Sequence, residues 1–190
     1  MKIAFIVYNQ LTLLDFIGFY DPVTRLKSMG FIENMNWDIC ALSNEVVDDR
    51  GIRILASKVK KSLASYDLIF IPGGFGSRIL QKDKEFINWI RSAESVKLKV
   101  SVCTGSLILG AAGFLADKHA TTHPAAIKEL KKYCLKCSKD RIVDQGNIIT
   151  GSGVTASIDL GLHIVERLAG TSVRENISKQ MDYPYKYYPK

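Results

Sequence analysis

Cys103 stands where a nucleophile could be made. It ends a short strand-like run, Val100-Ser101-Val102, and is followed by Thr104-Gly105-Ser106 and the apolar helical pattern Leu107–Gly113. This order predicts a strand, a sharp turn and a helix, with the cysteine at the corner. The spacing Ser101-x-Cys103-x-Gly105 is that of a nucleophile elbow with sulfur in place of a serine hydroxyl. Small residues on either side let strand and helix approach each other at a strained turn. The unpaired N–H groups and positive dipole end of the helix should favour thiolate over thiol, and the thiolate is the reactive form. A buried cysteine that merely ends a core strand is the plainer alternative.

Other residues could assist the sulfur. Gly73-Gly74 directly follows the apolar run Leu68–Ile71. Two glycines there can present N–H groups and, with the N–H of Thr104, could form an oxyanion hole. The alternative is a plain turn, and the Gly-Lys-Ser/Thr of a phosphate loop is missing. Asp15 lies in an unusually apolar stretch, Leu11-Thr-Leu-Leu-Asp-Phe-Ile-Gly18. It is either a helix N-cap or an acid/base whose pKa is raised by an apolar pocket and a nearby thiolate. His123, in Thr121-Thr-His-Pro124, could orient the site, act as a base, or simply open a helix. His119 adjoins Asp117-Lys118 and His163 falls mid-helix, so both are weaker candidates.

Composition narrows the class. The chain has 190 residues, 47% of them hydrophobic, enough for one domain with a sizeable core. No run approaches the roughly 18 apolar residues of a membrane span. The apolar N-terminal stretch stops at Asn9-Gln10 without a small-residue cleavage site and reads as a first strand, so a cytoplasmic protein is expected. Four cysteines, Cys40, Cys103, Cys134 and Cys137, do not suggest a disulfide scaffold. Cys134-x-x-Cys137 lacks the second pair that a structural zinc needs, and reads as two residues on a short strand after a helix. No metal is expected. The net charge is +7, with lysines at positions 58, 60 and 61 and again at 128, 131, 132, 136 and 139. Without a nucleic-acid-binding motif this reads as a solvated surface, so neither nucleic acid nor membrane is expected as a partner.

The elements that must position these residues alternate. Strands are expected at Lys2–Tyr8, Trp37–Leu42, Leu68–Ile71 and Val100–Val102. Hairpins are expected around Asp48-Asp-Arg-Gly51 and Asp144-Gln-Gly146. Helices are expected at Leu14–Met29, interrupted at Asp21-Pro22, and at Lys84–Ser95, after Cys103, from Pro124 to Lys132, at Thr155–Leu168 and at Val173–Met181. Continuous apolar strands between helices predict an α/β, flavodoxin-like parallel sheet covered on both faces, spanning 1–181, with a tyrosine-rich tail over 182–190. In such a sheet the site lies beyond the carboxyl ends of the strands: after Tyr8, at Gly73–Gly76 and at Cys103.

These segments together resemble the ThiJ/PfpI superfamily, whose fold is like that of class I glutamine amidotransferases. The resemblance rests on Leu14-Asp-Phe-Ile-Gly18, Ile71-Pro-Gly-Gly74, the elbow from Ser101 to Gly113, Thr121-Thr-His-Pro124 and Thr150-Gly-Ser-Gly-Val-Thr-Ala-Ser-Ile-Asp159. The Cys-Thr-Gly elbow with Leu-Asp is most similar to the isonitrile hydratase family. That resemblance implies hydration of R–N≡C to an N-substituted formamide, with Cys103 as nucleophile, Thr104 beside it and Asp15 as acid/base partner. It also implies no cofactor and a homodimer. Peptidase-like and deglycase-like members carry His after the cysteine and Glu at the acidic position, where this chain has Thr104 and Asp15. Isonitrile hydratases often carry Gly-Pro where this chain has Gly18-Phe19, so lid, pocket and substrate can differ. The competing expectations are a glyoxalase acting on methylglyoxal and a stress protein that senses oxidation at Cys103. The sensing half of a regulator would need a DNA-binding domain, for which no residues remain.

Overall fold

The computed structural model describes residues 1–184, so most of the tyrosine-rich tail lies outside the described residues. In chain order the elements are β1 (Lys2–Ile6), α1 (Leu13–Ser28), β2 (Asn36–Ala41), β3 (Glu45–Val47), β4 (Arg53–Leu55), β5 (Lys58–Val59), β6 (Leu68–Ile71), α2 (Gly76–Leu80) and α3 (Lys84–Arg91). Then follow β7 (Leu98–Val102), α4 (Gly105–Ala111), β8 (His119–Ala120), a 3₁₀ turn (Pro124–Ala126), α5 (Ile127–Leu130), β9 (Lys136–Cys137), β10 (Ile142–Asp144), β11 (Ile148–Gly151), α6 (Ala156–Ala169) and α7 (Thr171–Gln180).

Seven strands form one sheet in the order β10-β11-β7-β6-β1-β2-β5, parallel throughout except for the edge strand β10. The central strands β1, β6 and β7 are buried along almost their whole length because helices cover both faces. Helices α1, α6 and α7 pack together, as do α2, α3, α4 and α5, and the two groups flank the sheet. This is the expected α/β architecture. Phe5, Phe19 and Phe70 are fully buried, and Phe19 stacks on Phe70 at 3.8 Å between centroids, locking α1 to the sheet. Two small antiparallel or parallel pairs, β3–β4 and β8–β9, stand outside the main sheet.

Four expectations needed correction; the first is the helix expected at Lys84–Ser95, which ends at Arg91. Helix α1 is not interrupted at Asp21-Pro22 but runs on to Ser28. Proline removes one ladder N–H, yet Pro22 is buried against α6, where a side chain on Gly161 would come within 2.5 Å of its ring. Tertiary packing outweighs the local penalty. The helix after Pro124 is a 3₁₀ turn followed by one α-turn, ending at Leu130 rather than Lys132. Only Cys137 lies on a strand; Cys134 sits in the turn before it.

Candidate active site

Strand register brings the site together. Ile71 of β6 is paired with Ser101 of β7, so Gly73 and Cys103 emerge side by side, two residues further on. β1 lies on the other side of β6, and its outgoing chain returns across the glycines: Thr12 N–H donates to Gly73 O at 2.9 Å, and Leu11 bridges Gly74. Helix α1 starts there and carries Asp15 into the same corner.

Cys103 has φ of 55°, the left-handed region that a non-glycine residue occupies only under constraint, at a cost of roughly 1–3 kcal/mol. Its backbone is held at both ends. The N–H donates to Gly151 O (3.0 Å) and Ser152 O (2.7 Å), and the carbonyl accepts from Ser106 Oγ (3.1 Å) and Thr122 Oγ1 (2.9 Å). Gly105 completes the elbow, since a Cβ there would stand 2.3 Å from the Ile71 carbonyl oxygen. Gly73 is needed for the same reason: a Cβ would come within 2.7 Å of Thr104 N, Asp15 Oδ2 and Cys103 Cβ together.

Asp15 is the third residue of α1, not its cap; the N-cap is Thr12. Its carboxyl is fully buried. Oδ2 accepts the Gly73 N–H at 2.9 Å, whereas Oδ1 has no N–H or O–H donor. Burial lifts Asp15 to about 7, opposed by the Gly73 N–H and by the weakly donating thiol of Cys103. Burial, then the charge of Asp15, pushes the Cys103 thiol up to about 12, while the Thr104 N–H pulls it down. The expectation of a thiolate favoured by the helix end therefore meets a stronger opposing effect: the sulfur is buried beside a carboxyl group. The two groups titrate as a pair.

The glycine N–H groups are not free. Gly73 donates to Asp15, and Gly74 donates to Thr104 Oγ1 at 3.0 Å. Of the three N–H groups considered for an oxyanion hole, only that of Thr104 faces the sulfur. Ser77, which the sequence pattern did not single out, lies fully buried with Oγ 2.7 Å from both Thr104 Oγ1 and Gly74 O. Tyr8 closes the back of the site by donating to Pro72 O at 2.6 Å; burial and the charges of Asp15 and Cys103 hold its phenol well above its ordinary range. Asp49, from the β3–β4 hairpin, accepts from Thr12 Oγ1 at 3.0 Å and adds to the upward pull on Asp15.

Cys103 and Thr104 open on a cavity of about 250 Å³ that is also lined by Thr12, Gly74, Phe75, Arg78, His123, Ala125 and Val154. The lining is mostly apolar, and Arg78 is paired with Glu129 at 3.1 Å. His123 is at the rim, its Nδ1 accepting the Ala125 N–H at 3.2 Å as the cap of the 3₁₀ turn. A larger cavity, about 710 Å³, lies near Gly76 between Tyr8, Val46 and Phe86, and Cys103 does not line it. His119 is exposed on β8, and His163 is engaged with Asp144 at 2.7 Å, so neither joins the site. Among the described residues no three or more His, Cys, Asp or Glu cluster as a metal site would require, and no helix is long and apolar enough to cross a membrane.

An elbow cysteine level with a Gly-Gly turn, facing a buried carboxyl from the first helix, is an arrangement that can be compared with known proteins. The DJ-1/PfpI family profile matches residues 1–167. The chain belongs to the DJ-1/PfpI family. It is 34% identical over 184 residues to isonitrile hydratase of Pseudomonas putida, covering 96% of this chain and 78% of that protein. It is 28% identical over 149 residues to protein DJ-1alpha of Drosophila melanogaster, covering 77% of this chain and 66% of that one. Among solved structures, a ThiJ/PfpI family protein from Pseudomonas syringae superposes with a TM-score of 0.87 at 30% identity, covering 98% of this chain and 76% of that chain.

Proposed function

We propose that this DJ-1/PfpI protein is an enzyme that hydrates a small electrophile through Cys103, with an isonitrile as substrate and an N-substituted formamide as product. The observation that carries the reading is the buried Asp15 carboxyl set against the Cys103 sulfur, which itself lines a small, mainly apolar cavity. At one proton per pair, moving that proton from sulfur to Asp15 creates a thiolate beside a neutral acid. The thiolate attacks the terminal carbon of R–N≡C as Asp15 gives that carbon its proton, leaving a thioimidate, R–N=CH–S–Cys103. Water then adds to this carbon, one of its protons passing to nitrogen. The resulting hydroxyl collapses to the formyl group, expels the sulfur and returns the second proton to the pair. The product is R–NH–CHO, and the net addition is one water.

The first step builds no charge on oxygen, which is compatible with Gly73 and Gly74 N–H groups that already have partners. In this reading Gly73 and Gly74 position Asp15 and Thr104, Thr104 directs its N–H at the sulfur, and His123 shapes the cavity rim. A glyoxalase would want a free histidine base, and the Nδ1 of His123 is occupied by a cap hydrogen bond. Oxidation sensing would want a ready thiolate, and burial and the charge of Asp15 push the Cys103 thiol up, so the hydration reading is preferred. The protein acts as a homodimer in this proposal; Leu14 and Ile17, one turn apart on α1, leave 47% and 43% of their surface exposed and can serve such a contact.

The test is turnover of p-nitrophenyl isocyanide and of methylglyoxal by the same preparation, with light scattering for the assembly. Formamide production well above background with little methylglyoxal loss is expected. The reverse pattern transfers the proposal to the glyoxalase reading.

A further inference from the structure

Away from the cavity, two sulfurs lie in contact. Cys134 Sγ and Cys137 Sγ are 3.2 Å apart. The chain reverses between them. Tyr133 N–H returns to Leu130 O (2.9 Å), Leu135 and Lys136 N–H both reach Lys118 O (2.9 and 3.4 Å), and Cys137 pairs with Ala120 in the β8–β9 ladder. Backbone hydrogen bonds around the turn thus bring the two sulfurs together. Each thiol also points at a carbonyl of α5, Cys134 at Leu130 O (3.6 Å) and Cys137 at Ile127 O (3.8 Å). Both residues are half-buried, and neither lines the Cys103 cavity. The two thiols are too few for a zinc site, and no third ligand lies with them among the described residues.

The surroundings are cationic. Residues 127–140 carry Lys128, Lys131, Lys132, Lys136 and Lys139 against Glu129 and Asp140, and Glu129 is occupied by Arg78. All five lysines are exposed. Such a surface attracts anions.

We infer that Cys134 and Cys137 are a modification site, a vicinal dithiol that closes to a disulfide by exchange with a small anionic disulfide of the glutathione type. One of the two cysteines opens the exchange. Its thiolate attacks one sulfur of RS–SR, the S–S bond breaks, and RS⁻ departs and takes up a proton. The other cysteine's sulfur, losing its proton to solvent, then attacks the sulfur that carries the adduct and expels the second RS⁻. The protein gives up two protons and two electrons, and the small disulfide becomes two thiols. Thiols reverse the reaction.

The experiment is exposure of the full chain to oxidised glutathione, acid quenching, alkylation and peptide mapping. Expected is a single peptide joining Cys134 and Cys137, two hydrogens lighter and resistant to alkylation until reduced. Cys40, buried and bonded to Tyr66, is the internal control and stays a free thiol. Cys134→Ser should trap a stable glutathione adduct on Cys137, and Cys137→Ser should trap one on Cys134. Raising the salt to about 0.5 M should slow oxidation by glutathione disulfide several-fold but leave oxidation by uncharged hydroxyethyl disulfide unchanged. Two free thiols persisting in the wild type after Cys40 begins to react, or adducts on both cysteines without closure, overturn the dithiol. Equal salt dependence with both disulfides overturns the anionic partner.

Discussion

Cys103 and the Cys134–Cys137 turn put sulfur in opposite settings within one chain. Cys103 is 6% exposed, fixed in a left-handed backbone conformation, and sits against a carboxyl group that pushes its thiol upward. The other two are half-buried, one in a turn and one on β9, face each other, and lie in a segment rich in exposed lysines. In the first region the partner of sulfur is a proton donor, so the useful event is proton movement between oxygen and sulfur. In the second the partner is another sulfur, so the useful event is loss of two electrons. Position in the fold decides which. Cys103 is buried at a strand-to-helix corner on the sheet's carboxyl edge, whereas Cys134 and Cys137 are half-buried where α5 turns into β9.

Turnover separates the regions most widely. Cys103→Ala and Asp15→Asn should each lower isonitrile hydration by roughly 10³-fold or more, and the double variant should be hardly worse than either, because both act in one step. Cys134→Ser with Cys137→Ser should leave turnover in reducing buffer unchanged. Folded Asp15→Asn protein with near wild-type turnover would break the comparison at its centre.

Stability sharpens it next. Asp15 titrates near 7 in the folded protein against an ordinary 3.8. The folded state then binds the proton more tightly, so between these values stability falls as pH rises. Above about pH 7 the buried carboxylate costs up to about 4 kcal/mol, taking 1.36 kcal/mol per unit. Asp15→Asn lacks that cost, so urea unfolding should find it more stable than wild type near pH 8, with the difference closing towards about pH 4. Equal stability at both ends would mean that the carboxyl is not held in a raised state. Gly73→Ala acts on the same corner through space. Its new Cβ would meet a backbone nitrogen and two side chains at 2.6–2.7 Å. Displacing Asp15 from the sulfur should lower turnover about 10²-fold and stability by roughly 1–3 kcal/mol.

The pH profile gives a smaller effect. Below the Asp15 value the pair carries two protons and contains no thiolate tautomer with a neutral acid. kcat/KM should rise about tenfold per pH unit up to an apparent value near 7 and then level. A profile still rising towards the thiol's own range would assign the step to Cys103 without Asp15.

Much of the fold was legible in the sequence because buried parallel strands are near-continuous apolar runs, as in β1 and β6, and because β-branched Val100 and Val102 mark β7. The elbow and the Gly-Gly turn were legible because small residues are required at fixed offsets from Cys103. The uninterrupted course of α1 through Pro22 was not, since it depends on Gly161 of a helix more than a hundred residues away. Ser77 and Tyr8 escaped notice for a related reason: neither has a neighbour in sequence that marks it as polar support for the site. The raised thiol was misjudged because a helix end is visible in sequence, whereas the depth of burial and the carboxyl beside it are not.

The smallest expected effect concerns His123. Its Nδ1 already accepts the Ala125 N–H, and its ring lies against Gly153, where a side chain would come within 3.1 Å of Cδ2. A ring held in that way caps the 3₁₀ turn and forms part of the cavity wall. Removing it should cost about 1 kcal/mol of stability, the usual value of a lost cap. His123→Ala should raise KM a few-fold with little change in kcat, because the reacting proton belongs to Asp15. His123→Asn, which restores a cap acceptor, should recover most of the stability. A kcat loss as deep as that of Cys103→Ala would instead make the imidazole the base, and the sulfur and the histidine, rather than the sulfur and Asp15, would be the pair to compare with Cys134 and Cys137.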